Sequence, residues 1–371
     1  TVNATGGEPE TLWIDPDSGF PVRTEYLDGD GPAFVDYSDW RDVQGRRIAF
    51  RSVQTDGDHA FDVVQVTTSV ALDGPVAPAT FTPLVSRTIG TDRVHTVPLI
   101  ERGGHVFTTV QIAGRDWLFL LDTGAQSILV DNSILAAAGV TGTGSMEVRG
   151  ASRTGGMQAA KLPSLSIDGA TMDDVVVSAM DLGKTIGGGM RFDGILGYPF
   201  FASALVQLDF SHKVMRFGPP GSFTPDGSKV DLDVDRELAE AQFTVNSRVR
   251  APFIVDTGNS SEMLMYRPFL DAHPGIVPFT GATSWNYGIG GGNATYRSSL
   301  EALEIGGTTL YHRAVEVVLA KNGAFADRVD AGNVGLGVLS NFVATFDLGN
   351  ATMYLAPGIA FDDGRRRTAR M

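Results

Sequence analysis

Residues 117–130 read WLFLLDTGAQSILV, and residues 251–264 read APFIVDTGNSSEML. In both, a run of bulky apolar residues delivers the tripeptide Asp-Thr-Gly, first as Asp122, Thr123 and Gly124, then as Asp256, Thr257 and Gly258. An apolar strand carries its Asp into a dry interface, where an isolated carboxylate is costly to keep charged. The glycine two residues on lets the backbone turn tightly and approach a counterpart. The threonine offers a hydroxyl that can tie one loop to the other. Two such loops facing each other place two carboxyls within reach of one water. Like charges that close cannot both ionise comfortably, so the pair shares a proton, one member acting as general base and the other as general acid. A single Asp-Thr-Gly is a weak signal, because Asp and Gly together are commonly just a turn. Its doubling in matched surroundings gives it weight.

The surroundings repeat as well. LSIDGATM (165–172) matches LEIGGTTL (303–310), FDGILGYPFF (192–201) matches GNVGLGVLSNF (332–342), and VQLDFSHKVMRF (206–217) matches ATFDLGNATMYL (344–355). The offsets are 256−122 = 134, 303−165 = 138, 337−197 = 140 and 347−209 = 138. Four blocks in one order at nearly constant spacing define two copies of one unit, residues 91–222 and 228–358, joined at the Gly- and Pro-rich GPPGSFTPDGSK (218–229). Short Val-, Ile-, Phe- and Thr-rich runs between Gly and Asp turns make each copy mostly strand. NSILAAAG (132–139) is the best helical signal. Residues 1–90 lie outside the repeat and read as a small antiparallel β-meander; residues 359–371 form a basic tail.

Composition narrows the rest. Lys plus Arg is 29 against Asp plus Glu 43, a net charge of −14, which argues against nucleic-acid and anionic-membrane surfaces. The chain has no cysteine, which removes disulfides and thiol chemistry. No apolar run reaches the roughly 18 residues of a membrane span. Thr1 stands where an initiator Met would, so a removed leader or a longer parent chain is expected. GKT (183–185) lacks the Walker glycine, since position 178 is Ser; DLDVDRE (231–237) has Arg236 where a calcium loop needs Gly. No His-x-x-x-His and no Gly-x-Ser-x-Gly occurs, so neither a zinc nor another cofactor nor a serine nucleophile is expected.

On the doubled Asp-Thr-Gly and the apolar-apolar-Gly elements ILG (195–197) and GLG (335–337), the chain resembles the aspartic peptidase superfamily, retropepsin-like and pepsin-like enzymes alike. The resemblance implies an all-β fold of two pseudo-two-fold related acid-protease lobes of the double-psi barrel type. It implies Asp122 and Asp256 as catalytic residues, with Thr123 and Thr257 locking the loops and Gly124 and Gly258 at the tight turns. It implies an endopeptidase that takes an extended polypeptide substrate and needs no partner chain to complete its site. Such enzymes close a β-hairpin over the substrate, and two glycine-rich hairpins qualify: MEVRGASRTGGMQAA (146–160), with Arg149, Gly150 and Ala151, and SWNYGIGGGNATYRSS (284–299), with Trp285, Tyr287 and Gly288.

Pepsin-like enzymes also set a hydroxyl beside the dyad, where this chain has Ala125 and Asn259. Without it, a pH optimum nearer ~5–6 than the strongly acid range follows, unless the Asn259 amide itself donates to Asp256. Residues 1–90 resemble the C-terminal half of lipoprotein-carrier-like domains through DPDSGFPVRTEY, DYSDWRDVQGRRIAFR and a closing F-x-P. That implies a periplasmic or otherwise exported bacterial protein. It also keeps two rival functions open: a lipid or lipoprotein carrier working through residues 1–90, and a catalytically silent peptide-binding protein of the same fold.

Overall fold

The computed structural model describes residues 10–28, 31–55, 57, 59, 62–72, 89–149, 154–185, 190–278, 280–288, 291–319, 324–327 and 329–365. Gly150 and Ala151 of the first hairpin, and residues 366–371 of the basic tail, therefore lie outside the described residues. The chain separates into two compact units, Thr1–Leu84 and Val85–Met371. The junction falls before position 90, because Ile89 is buried in the core of the second unit and Gly90 bridges Thr171 there.

The first unit is one five-stranded antiparallel sheet in sequence order, Thr11–Ile14, Pro21–Asp28, Gly31–Val43, Arg46–Thr55 and Val63–Val66. Its outermost strands carry exposed apolar residues, among them Trp13, Ile14, Val64 and Val66.

The second unit is all-β and its strand order is written twice. In the first copy, Leu129–Asp131 runs parallel to Ala170–Met180 and antiparallel to Gly194–Leu196, which itself runs parallel to Arg115–Leu121. In the second copy, Met263–Met265 runs parallel to Thr308–Val318 and antiparallel to Gly332–Val334, which runs parallel to Val249–Val255. Each sheet closes on itself through one extra pairing, Ser166 with Gln111 in the first and Thr244 and Val245 with Glu304 and Leu303 in the second.

The local causes repeat too. The hairpin that leads into the Asp strand of each copy turns on two residues of positive φ, Ala113 and Gly114 in one and Asn246 and Ser247 in the other, the conformation a tight hairpin needs to match strand twist. Inward residues are fully buried along the strand that ends at each Asp, Phe119 and Leu121 in one copy and Phe253 and Val255 in the other. NSILAAAG forms the helix Asn132–Ala138, capped by the Asp131 side chain on the Ser133 N–H and ended at Gly139 with φ 66°.

A six-stranded sheet joins the copies, with Leu205–Asp209 and Phe342–Asp347 antiparallel at its centre. Flanking them in mirrored order are Val214–Gly218 with His95–Pro98 and Thr352–Pro357 with Ser228–Asp231. Across it pack Phe200, Phe201, Phe217 and Phe346, with edge-to-face ring distances of 5.4–5.9 Å.

One register differs from the sequence alignment. Gly197 caps the short helix after Gly194–Leu196, and the residue doing so after Gly332–Val334 is Gly335, not Gly337. The offset becomes 335−197 = 138, like its neighbours. The GLG triplet offered two glycines, and packing chooses between them. At both Gly197 and Gly335 an added Cβ would run into backbone carbonyls of the adjoining Asp-Thr-Gly loop, those of Ala125 and Ser127 or of Asn259 and Ser261.

Candidate active site

Each Asp leaves its strand at the same place. The backbone N–H of Asp122 donates to the Leu196 carbonyl at 3.1 Å, and that of Asp256 to the Val334 carbonyl at 2.9 Å. The apolar-apolar-Gly strand thus holds the start of its loop from behind. Within each loop the glycine N–H turns back on the carboxyl: Gly124 to Asp122 Oδ1 at 2.9 Å, Gly258 to Asp256 Oδ1 at 2.8 Å.

The loops are bound to each other by crossed hydrogen bonds between the two threonines, both fully buried. Thr123 Oγ1 donates to the Val255 carbonyl at 2.6 Å and accepts the Thr257 N–H at 3.1 Å. Thr257 Oγ1 donates to the Leu121 carbonyl at 2.9 Å and accepts the Thr123 N–H at 3.0 Å. Each hydroxyl therefore donates one hydrogen bond and accepts one backbone N–H across the interface of the repeat.

This cross-lock brings each glycine against the carboxyl of the other loop. A Cβ at Gly124 would sit 2.7 Å from Asp256 Cγ, and one at Gly258 would overlap the Asp122 carboxyl. Only glycine fits either place. The carboxyls of Asp122 and Asp256 lie within hydrogen-bonding reach of each other. Burial pushes Asp122 up to about 6, against donors from Gly124, Asp256 and Gly258. Asp256 is pushed well above the usual carboxylate range by burial first and then by the negative charge of Asp122. Both shifts favour a pair that retains a proton where free carboxylates would have lost theirs.

The donors around the two carboxyls are unequal, and here the structure departs from the sequence reading. Asn259 does not send its side-chain amide to Asp256. Its backbone N–H donates to Asp256 Oδ1 at 3.0 Å, while its Nδ2 donates to Asn333 Oδ1 at 2.8 Å. Asn333 in turn donates Nδ2 to Asp256 Oδ2 at 2.6 Å. The missing hydroxyl is thus replaced from another strand. Asn333 was not singled out from sequence, where the 140-residue offset sets it opposite Asp193; the register of the structure sets it opposite Ile195, a polar residue where the other copy has an apolar one.

Beside the second loop lies a cavity of about 370 Å³ lined by Arg102, His105, Phe210, Ser260, Leu336 and Ser340, among others. The His105 ring lies beside the Gly258 carbonyl, and burial holds it below the usual histidine range. Tyr266, at the end of Met263–Met265, is buried and raised by burial and by the charge of Asp256.

The hairpins singled out from sequence are present as paired strands. Thr143–Arg149 pairs with Thr154–Ile167, Arg149 standing opposite Thr154. Thr283–Gly288 pairs with Gly291–Ile305, setting Trp285 opposite Ala294, Tyr287 opposite Gly292 and Gly288 opposite Gly291. Trp285 is 62% exposed, which rules out a core role for it. Among the described residues, no helix is long and apolar enough to cross a membrane.

Residues 108–200 match the family model described as aspartyl protease, a span that holds the first Asp-Thr-Gly loop and the Gly194–Leu196 strand behind it. No curated protein matches the chain. The matched span, with the same topology written a second time around Asp256, supports an aspartic peptidase superfamily assignment.

Proposed function

We propose that the protein is an aspartic endopeptidase in which Asp122 and Asp256 together activate a water for peptide hydrolysis. The observation that carries this reading is the pairing of two half-buried carboxyls, one from each copy, across threonines that bond each other's backbone. The singly protonated pair has one carboxylate to take a proton from water and one carboxylic acid to give a proton to the scissile carbonyl oxygen. Water adds to the carbonyl carbon and leaves a gem-diol. A proton then passes to the amide nitrogen, the C–N bond breaks, and the pair is left with one proton as before. No covalent bond to the protein and no cofactor enters the balance.

The substrate is an extended polypeptide. The strands of the two glycine-rich hairpins offer backbone groups for β-strand addition, and Trp285 offers exposed aromatic surface. The cavity beside Ser260 suits a substrate side chain adjoining the scissile bond.

The test is incubation with a diverse peptide library, with and without pepstatin, read by mass spectrometry. Cleavage lost in Asp122→Asn and in Asp256→Asn supports the reading. Cleavage that survives in either purified variant refutes it.

A further inference from the structure

The two copies treat their carboxyls differently, and the difference is confined to a short chain of side chains. Ser261 donates both its N–H, at 2.9 Å, and its hydroxyl, at 2.8 Å, to Asn259 Oδ1. Those two donors oblige the oxygen of Asn259 to face them, which turns its amide nitrogen toward Asn333. The oxygen of Asn333 must then face Asn259, and its nitrogen must face Asp256. Orientation is thus passed along three residues to the carboxyl with no free choice at any step. Both asparagines are buried, 8% and 2% exposed. Buried amides are tolerated only when fully bonded, and the first copy does without them, holding Ala125 and Ile195 in their places.

Resting on the dyad reading above, we propose that Asn333, braced by Asn259 and Ser261, is a positioning residue that stabilises ionised Asp256 and sets the pH range in which the pair carries one proton. The groups facing Asp256 are Asp122 from the opposite loop and Tyr266, with His105 beside the neighbouring Gly258. None of these supplies the bond to Oδ2 that Asn333 makes.

The consequence does not depend on which carboxyl holds the shared proton. The pair loses its protons in two steps, and activity peaks midway between the two apparent pKa values. Asp256 is charged in the doubly ionised state in every case. A donor on Asp256 therefore lowers the sum of the two values: it lowers the first if Asp256 ionises first, and the second if Asp122 does. A hydrogen bond to a charged group corresponds to roughly one to two pKa units. Its loss should raise the centre of the bell by half of that, roughly 0.5–1 pH unit.

The experiment compares wild type with Asn333→Ile and with Asn259→Ala/Asn333→Ile, which reproduces the first copy and leaves no amide stranded. The pH dependence of kcat/KM is measured on a peptide the wild type cleaves, and the melting temperature is measured across the same pH range. The expected result is a bell moved up by about 0.5–1 pH unit in both variants, with a larger loss of melting temperature at pH ~8 than at pH ~4. Asn259→Ala alone, which keeps Asn333 and removes its brace, should move the bell the same way by less. A bell that stays in place while activity persists, with an equal thermal loss at both pH values, overturns the inference and leaves the dyad standing. Failure of the dyad itself reads differently: wild type shows no cleavage that depends on Asp122 and Asp256, and the thermal comparison still decides whether Asn333 supports a charged Asp256.

Discussion

Thr123→Val isolates the contribution of the cross-lock. Valine keeps the shape of threonine, so no cavity opens and nothing is overpacked; the loss is the hydroxyl alone. That hydroxyl donates to the Val255 carbonyl at 2.6 Å and accepts the Thr257 N–H at 3.1 Å, at a site with no exposure to solvent. Two backbone groups are left unbonded where water cannot reach them, at about 1–3 kcal/mol each. A destabilisation of about 2–5 kcal/mol is expected after local relaxation, lowering the melting temperature by roughly 3–8 °C for a unit of this size. Thr257→Val strands a different pair, the Leu121 carbonyl and the Thr123 N–H, and because both hydroxyls belong to one network the double variant should depart from the sum of the two. Thr123→Ser keeps the hydroxyl and should lose much less. Urea unfolding of the four variants and the wild type, followed by tryptophan fluorescence, checks this. A Thr123→Val protein within 0.5 kcal/mol of wild type, below the smallest loss a stranded buried group entails, or a Ser variant as damaged as the Val variant, would refute the account of the lock.

Asp122→Asn, besides ending cleavage, should raise stability at neutral pH. Burial lifts Asp122 from an ordinary 3.8 to about 6, so the fold is penalised as pH rises through that window, by on the order of 3 kcal/mol above it. Melting curves should show the gain near pH 7 and its disappearance near pH 4. Gly258→Ala places a methyl group in the Asp122 carboxyl, and peptide cleavage assays should show activity falling at least a hundredfold even where circular dichroism shows a folded protein. Arg236→Met should cost more stability at pH 8 than at pH 5, because it strands Glu240, Asp327 and Asp330, the last already raised to about 7 by burial first and by the charge of Glu240.

Much of this architecture could be read from the chain because the information is periodic and local. Asp122 and Asp256 announce themselves by a tripeptide after an apolar strand, and the constant offset of the surrounding blocks forces a doubled topology. The cross-bonding of Thr123 and Thr257 follows from their type and place. What could not be read depends on which neighbour a side chain reaches. Asn259 sits in the position of the missing hydroxyl, and its reach to Asp256 was the alternative the sequence left open. Ser261 claims its oxygen and Asn333 claims its amide instead. Likewise the choice of Gly335 over Gly337 rests on carbonyls of a loop some 75 residues away in sequence.

Carrying both halves of the site in one chain has a chemical consequence. Two identical loops related by symmetry would give both carboxyls the same donors and no preference for either proton position. Here the duplication is kept wherever geometry must match: the glycines that abut the opposite carboxyl, the threonines that cross, and the strands that hold each Asp from behind. It is broken at Ala125 against Asn259 and Ile195 against Asn333. Those differences are confined to the donors of one carboxyl. They alter the field at Asp256 without moving the loops, since the Asp-Thr-Gly backbone bonds on the two sides agree to within 0.2 Å. Fold and proton bias are thereby separable in this molecule. The threonines fix where the carboxyls meet, and the asparagines govern how readily one of them gives up its charge.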